Sequence, residues 1–241
     1  MTHVRKHAWV ISLAALLAVL LALTKIIQPG FGASGIESLA RAALPFGFAT
    51  AGMAVVIIAG GIDLSVASMM AVCAVTTAVL MERMAGVPAL IIVLLAGAGM
   101  GAINGTLIIL TKVPDIVVTL AMLFVWEGVA LLILSSPGGA TADWLEGAIR
   151  GSFIFSWLPK AFLIIAIVSA LLWGPLQRTK LGLSIYAIGS DELAAFRSGI
   201  SIGRSKVAAY AICGLFCAFG GLSLAALTGI GEPVPGPYLM A

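Results

Sequence analysis

Charged side chains make up only 10% of the 241 residues, against about 25% in soluble domains. A chain so poor in charge cannot cover a water-facing surface, which excludes a soluble globular class. The two histidines, His3 and His7, stand at the N-terminus, and the three cysteines, Cys73, Cys213 and Cys217, lie in apolar runs. No clustered metal site is spelled out by such spacing. The thiols read as small apolar packing residues, with Cys213 and Cys217 on one helix face. There is no phosphate-cradling GxxxxGK[ST] loop and no HExxH, so the sequence offers neither an ATP-binding loop nor a metalloprotease pair. The 13 Lys and Arg give a net charge of +3, but they are spread over segment ends and one loop. No single basic face results, and no nucleic-acid partner is implied. No cofactor is implied either.

What is present is apolar: 61% of the residues are hydrophobic. Seven segments, 8–27, 42–60, 64–81, 88–111, 115–135, 160–176 and 206–230, are long enough at 1.5 Å per residue to cross or nearly cross a hydrocarbon layer of about 30 Å. Backbone groups in lipid must pair within their own segment, and the alternating segments of about ten residues that a barrel needs are missing. The fold class is therefore all-α, a polytopic bundle of about seven spans forming a single transmembrane domain over 1–241. The opening "MTHVRKH" with apolar 8–23 has the outline of a signal peptide, but no small-x-small cleavage site precedes "TKIIQPG", which favours an uncleaved first span. A cytoplasmic N-terminus puts Arg5, Lys6, Lys112, Arg178, Lys180, Arg197, Arg204 and Lys206 inside, and Lys25, Arg41, Arg83, Arg150 and Lys160 outside. The loop 177–206 is then cytoplasmic. The loop 136–159 is external, with Trp144 and Trp157 at the interface and a short helix near 142–150. Gly97, Gly101 and Gly105 share one helix face and permit close approach of another helix.

A few polar residues break the apolar runs. "GGIDLS" (60–65) places Gly60, Gly61, Asp63 and Ser65 between two spans, although a carboxylate at a span centre costs about 2.5–3.5 kcal/mol on insertion scales. One reading is a tight turn in which Asp63 or Ser65 caps the next helix. The other is a broken helix presenting backbone groups to a solute or gate. Glu127, expected to lie fairly deep in its span, is a functional candidate by default. Asn104, Thr106 and Thr119 read as hydrogen-bonding ties between helices or as the lining of a hydrophilic path, with Asn104 and Thr119 the stronger path candidates. In the loop 177–205, Ser190 is expected to cap a helix "DELAAFRSG" that ends at Gly199, with Asp191 and Glu192 in its first turn. Such a helix, rimmed by Arg197, Arg204 and Lys206, reads as a docking knob for a cytoplasmic partner, as a plain connector, or as a strip on lipid head groups.

Several of these stretches together resemble one family. "GGIDLSVASMMAV" (60–72) resembles the signature of bacterial ABC-transporter permeases for monosaccharides, the ribose, xylose, arabinose and galactose type. "GAINGTLI" (101–108) and "VPDIVVTLAML" (113–123) resemble the next two family segments in order, and "TKLGLSIYAIGSDELAAFRSGISIGRSKVAAY" (179–210) resembles the cytoplasmic coupling loop. The likeness runs from about residue 40 onward. It implies a bacterial inner-membrane subunit, not itself an enzyme. Its partners would be a separate ABC ATPase, an extracytoplasmic sugar-binding protein and a second permease copy, identical or not. Glu192, Ala194, Ala195, Arg197 and Gly199 would fall on the ATPase-coupling element. Asp115 stands where relatives usually carry an aromatic or apolar residue, and Glu127 lies near a position that is often basic. Relatives continue past "GEPVPGPYLMA" with further spans, so the resemblance implies a C-terminally truncated permease. The alternatives are an ion-gradient-coupled carrier using Asp63 or Glu127, and an intramembrane enzyme using the same two acids, which lack an accompanying nucleophile or metal.

Overall fold

The computed structural model describes residues 8–84, 86–153 and 158–234. His3, Arg5, Lys6, His7 and Trp157 lie outside the described residues, as does the tail from 235. Among the described residues ten helices follow in chain order: α1 (Ala8–Ile27), α2 (Ala33–Ile58), α3 (Val66–Arg83), α4 (Gly86–Thr111), α5 (Asp115–Ile133), α6 (Asp143–Ile149), α7 (Lys160–Arg178), α8 (Lys180–Ser190), α9 (Glu192–Arg197) and α10 (Ile202–Thr228). Seven of them, α1 to α5, α7 and α10, are long and apolar enough to cross a membrane.

The seven spans fall where the apolar runs place them, with one sizeable correction. The second starts at Ala33 rather than near 42. The extra turns hold Glu37 and Arg41, which the hydropathy pattern rejects. They are accommodated because Arg41 Nε lies 3.5 Å from the Glu37 carboxylate one helical turn away. The same carboxylate also accepts the Gly151 amide at 2.7 Å. Pro45 sits inside α2 and Pro175 inside α7, a placement that neighbouring helices make tolerable in membrane spans.

The core is built around α10. Fifteen of its side chains and glycines are buried, and it packs against α2, α3 and α4. Glycine sets that contact. A Cβ on Gly101 would run into the Tyr210 carbonyl, and one on Gly97 would lie 2.6 Å from Ala218 Cβ. From the other side, a Cβ on Gly214 would strike the Gly97 carbonyl. The expected face of Gly97, Gly101 and Gly105 is thus a groove filled by the backbone of α10. Cys73, Cys213 and Cys217 are buried and free. By contrast α1 has no buried residue, and α5 and α7 turn much of their surface outward.

At the end of the bundle opposite α8 and α9, the linker after α5 pairs with the end of α10. Gly138 and Gly231 exchange backbone bonds of 3.1 and 2.8 Å. The short helix expected near 142–150 is α6.

Candidate functional site

The "GGIDLS" stretch ends α2 by a glycine-dependent cap. Gly60 has φ 80°, its amide bonds to the Ile57 carbonyl, and the Gly61 amide bonds to that of Val56, both at 2.9 Å. This paired closure needs a left-handed residue, which glycine adopts without a Cβ penalty. The chain then runs without regular structure over 61–63 and turns at Leu64 and Ser65 into α3. Gly61, Asp63 and Ser65 turn inward, and Ile62 and Leu64 outward. Asp63 Oδ1 accepts the Ser65 amide at 2.9 Å and the Ser65 hydroxyl at 2.6 Å. Its carboxylate thus satisfies an otherwise free donor ahead of α3, while Ser65, the N-cap residue, gives its own helix no side-chain bond. The expected turn is present, but the expected side-chain cap on α3 is not, because both Asp63 bonds end on Ser65, ahead of the helix.

Three ties fasten α5 to this break. The Thr119 hydroxyl, shared with the Asp115 carbonyl of its own helix, reaches the Ile62 carbonyl at 3.2 Å. The Tyr210 hydroxyl on α10 donates to Asp115 Oδ2 at 2.8 Å. This pairing gives a physical role to the acid at 115. The third tie is a chain. Trp126 Nε1–H donates to Asn104 Oδ1 at 3.1 Å, Asn104 Nδ2–H donates to Ser65 Oγ at 2.7 Å, and Ser65 Oγ–H donates to Asp63. Every donor points towards the Asp63 carboxylate, the arrangement in which successive hydrogen bonds polarise one another. Replacing Tyr210 by Phe is expected to cost about 1.5–3 kcal/mol, the range for a hydrogen bond to a charged group. Thermal unfolding of the detergent-solubilised chain reads that loss; an unchanged midpoint would remove the Asp115 tie.

Asn104 and Thr119 are completely buried, and both serve these ties. Glu127 is half-buried, at the border between the inward face of Val118, Met122, Trp126 and Ala130 and the outward face of Phe124 and Leu131. Neither a hydrogen bond nor an ion pair joins it to another described residue.

The connector 177–205 is more helical than its sequence suggests. The Thr179 hydroxyl accepts from the Gly182 amide at 3.3 Å and starts α8. The expected cap at Ser190 is corrected. Ser190 closes α8, and Asp191 caps α9, its Oδ1 accepting the Ala194 amide at 2.9 Å. Asp191 has the extended backbone of an N-cap (φ −157°, ψ 106°), and its carboxylate also meets the positive end of the helix. Gly199, at φ 81°, closes α9. The Gly199 amide bonds to the Phe196 carbonyl and the Ile200 amide to that of Ala195.

In α9 the side chains divide sharply. Ala195 is 4% exposed and seats the helix, whereas Leu193 and Phe196 are 59% and 64% exposed. Glu192, Ala194, Arg197 and Gly199 also face out. Glu192 pairs with Lys206 at 3.2 Å, tethering α9 to the first turn of α10. On the inner side, Gly189 of α8 lies against the carboxyl end of α2. A Cβ there would collide with the Ile58 carbonyl and come within 3.3 Å of the Gly60 amide. Leu193 and Phe196 were not singled out from the sequence, although an apolar pair three apart in a polar connector was there to be seen. Trp126 and Tyr210 also escaped notice; a buried indole N–H or phenol needs a partner, and that requirement was the available clue.

Among the described residues no group of three or more His, Cys, Asp and Glu is placed to hold a metal. Residues 35–240 match the family described as branched-chain amino acid transport system / permease component. The autoinducer 2 import system permease protein LsrD of Escherichia coli (strain SMS-3-5) is 33% identical over 93% of this chain and 70% of its own length. The protein of the same name from Shigella flexneri has the same identity and coverage. No solved structure matches.

Proposed function

The chain belongs to the branched-chain amino acid transport system / permease component family, and on that premise we propose that it is the membrane-embedded subunit of an ATP-driven importer for a monosaccharide or similar small polar solute. The observation that carries this reading is the construction of 177–205: α9 holds Leu193 and Phe196 out to solvent while α8 rests on the break that ends α2. An exposed apolar pair on a short capped helix suits insertion into a cleft of another protein. The chain has no ATP-binding loop of its own, so that protein is the ATPase subunit. Glu192, Ala194, Arg197 and Gly199 frame the contact.

The remaining parts follow from the same reading. The chain forms one transmembrane domain of a bacterial inner membrane, with its N-terminus and the loop 177–205 on the cytoplasmic side. An extracytoplasmic binding protein delivers the solute, and a second permease copy completes the path. The relatives' name, an autoinducer 2 import system permease protein, agrees with a small polar solute. Glu127 faces the path, because a half-buried acid in a span with no partner among the described residues needs water or a polar ligand.

The test is co-purification with the importer's ATPase subunit. Glu192→Arg is expected to lose the ATPase, but it also sets two cations together by breaking the Lys206 tether. The exchange Glu192→Lys with Lys206→Glu restores that tether. If the exchange recovers co-elution, Glu192 acts by holding α9; if it does not, Glu192 touches the ATPase itself. Full co-elution in Glu192→Arg would count against the docking role of α9.

A further inference from the structure

The hydrogen-bonded chain that starts at Asp63 stops at Trp126, and the next residue is Glu127. Only five residues of α5 are buried: Val118, Thr119, Met122, Trp126 and Ala130. Leu132, Phe124 and Val117 on its other side are 88%, 65% and 55% exposed. A helix with so narrow a packed face is weakly held against rotation about its axis by close packing alone. Directional bonds must do that, and in the half of α5 that carries Glu127 the Trp126 indole bond is the one present among the described residues. A side chain about 5–6 Å from the helix axis moves by roughly 3 Å for a 30° turn. That is enough to carry the Glu127 carboxylate from the polar border of α5 onto its apolar outer face.

We infer that Trp126 is a positioning residue for Glu127, and that Asp63, Ser65 and Asn104 fix the rotation of α5 through it. The inference rests on the reading of Glu127 as facing the path. The four groups span the break and two helices: Asp63 and Ser65 before α3, Asn104 on α4 and Trp126 on α5. Asp63, Ser65 and Asn104 have no exposed surface and Trp126 has 8%, so water does not compete for these bonds. Because α8 rests on the same break through Gly189, a displacement on the docking side reaches Glu127 along the same bonds. Asp63 is thereby a terminal acceptor that orders the chain of donors.

The test uses the whole chain in membranes together with its ATPase. Cysteine replaces Glu127, and the rate of modification by the membrane-impermeant reagent methanethiosulfonate ethyltrimethylammonium is measured. Cys73, Cys213 and Cys217 are buried and give little background. The cysteine is expected to react, and adding Trp126→Phe or Ser65→Ala is expected to change the rate about threefold, the scale set by one interhelical hydrogen bond. Should Trp126→Phe fail to accumulate, Ser65→Ala decides. Equal rates in the parent and in Ser65→Ala overturn the positioning role while leaving Glu127 on the path. A cysteine at 127 that does not react at all overturns the path-facing reading, and the positioning role with it.

Discussion

Replacing Phe196 by Asp is expected to abolish co-elution of the permease with its ATPase and to cut ATP-driven uptake by at least about thirtyfold, with the amount of folded permease unchanged. The separation of effects comes from exposure. Phe196 is 64% exposed and Leu193 59%, so within this chain their replacement touches little, and surface changes of that kind stay within about 0.5 kcal/mol. Across an interface the same ring is an anchor, and loss of a buried anchor costs about 2 kcal/mol or more, which is a factor of about thirty. A carboxylate in the pocket adds a desolvation penalty to the lost contact. Leu193→Ala should give a smaller loss of the same kind. Ala195, seated inward at 4% exposure, should behave oppositely: enlarging it disturbs the permease itself. Retention of the ATPase by the Phe196 variant, at normal permease levels, would mean that α9 is a connector and that docking lies elsewhere.

Replacing Gly101 by Leu is expected to prevent formation of the folded bundle, at a cost above about 4 kcal/mol. Overpacking a core costs about 1–3 kcal/mol when side chains can give way. Here the first added carbon meets backbone: the Tyr210 carbonyl, then the Gly214 amide at 3.0 Å. Relief requires α4 and α10 to separate along the seam that the core is built around. The same substitution at Gly99, two residues away on the same helix, meets nothing within 4 Å and should be tolerated within about 0.5 kcal/mol. Thermal unfolding and monodispersity in detergent distinguish the two, and equal behaviour would dismiss the glycine seam as the determinant of packing.

Span number and order were legible because lipid leaves the backbone one economical solution, and apolar length reports it directly. The glycine face of α4 was legible for a similar reason, since small residues at four-residue spacing have few other uses. The start of α2 was not. Glu37 and Arg41 argue against a helix in any count of hydropathy, and what admits them is their mutual pairing and the distant Gly151 amide. The cap of α9 was missed by one residue, because Ser190 and Asp191 are both good caps and only the end of α8 decides between them. At the candidate site the acids and Asn104 stood out as polar residues in apolar runs, yet which of them meet depended on contacts between residues 22 to 95 positions apart. Asp115 read as a departure from a pattern until Tyr210 was found beside it. The outward-facing Leu193 and Phe196 looked like ordinary apolar residues until burial distinguished them from Ala195.

The order in which the helices enter the bundle has a consequence for biosynthesis. The groove on α4 is complete once Gly105 has left the ribosome, but the α10 backbone that fills it follows roughly 110 residues later, a delay of about 6–20 s at 5–20 residues per second. During that interval α2, α3 and α4 share the bilayer without their common partner, and the groove holds lipid tails. Helices already inserted in lipid associate in a second, separate step, so the nascent permease waits as a loose set of spans. Arrival of 202–228 then closes the bundle, and it draws in the docking segment just ahead of it. The proposed docking surface is therefore assembled in the same event that fills the α4 groove, and a nascent chain still lacking 202–228 has not yet organised it.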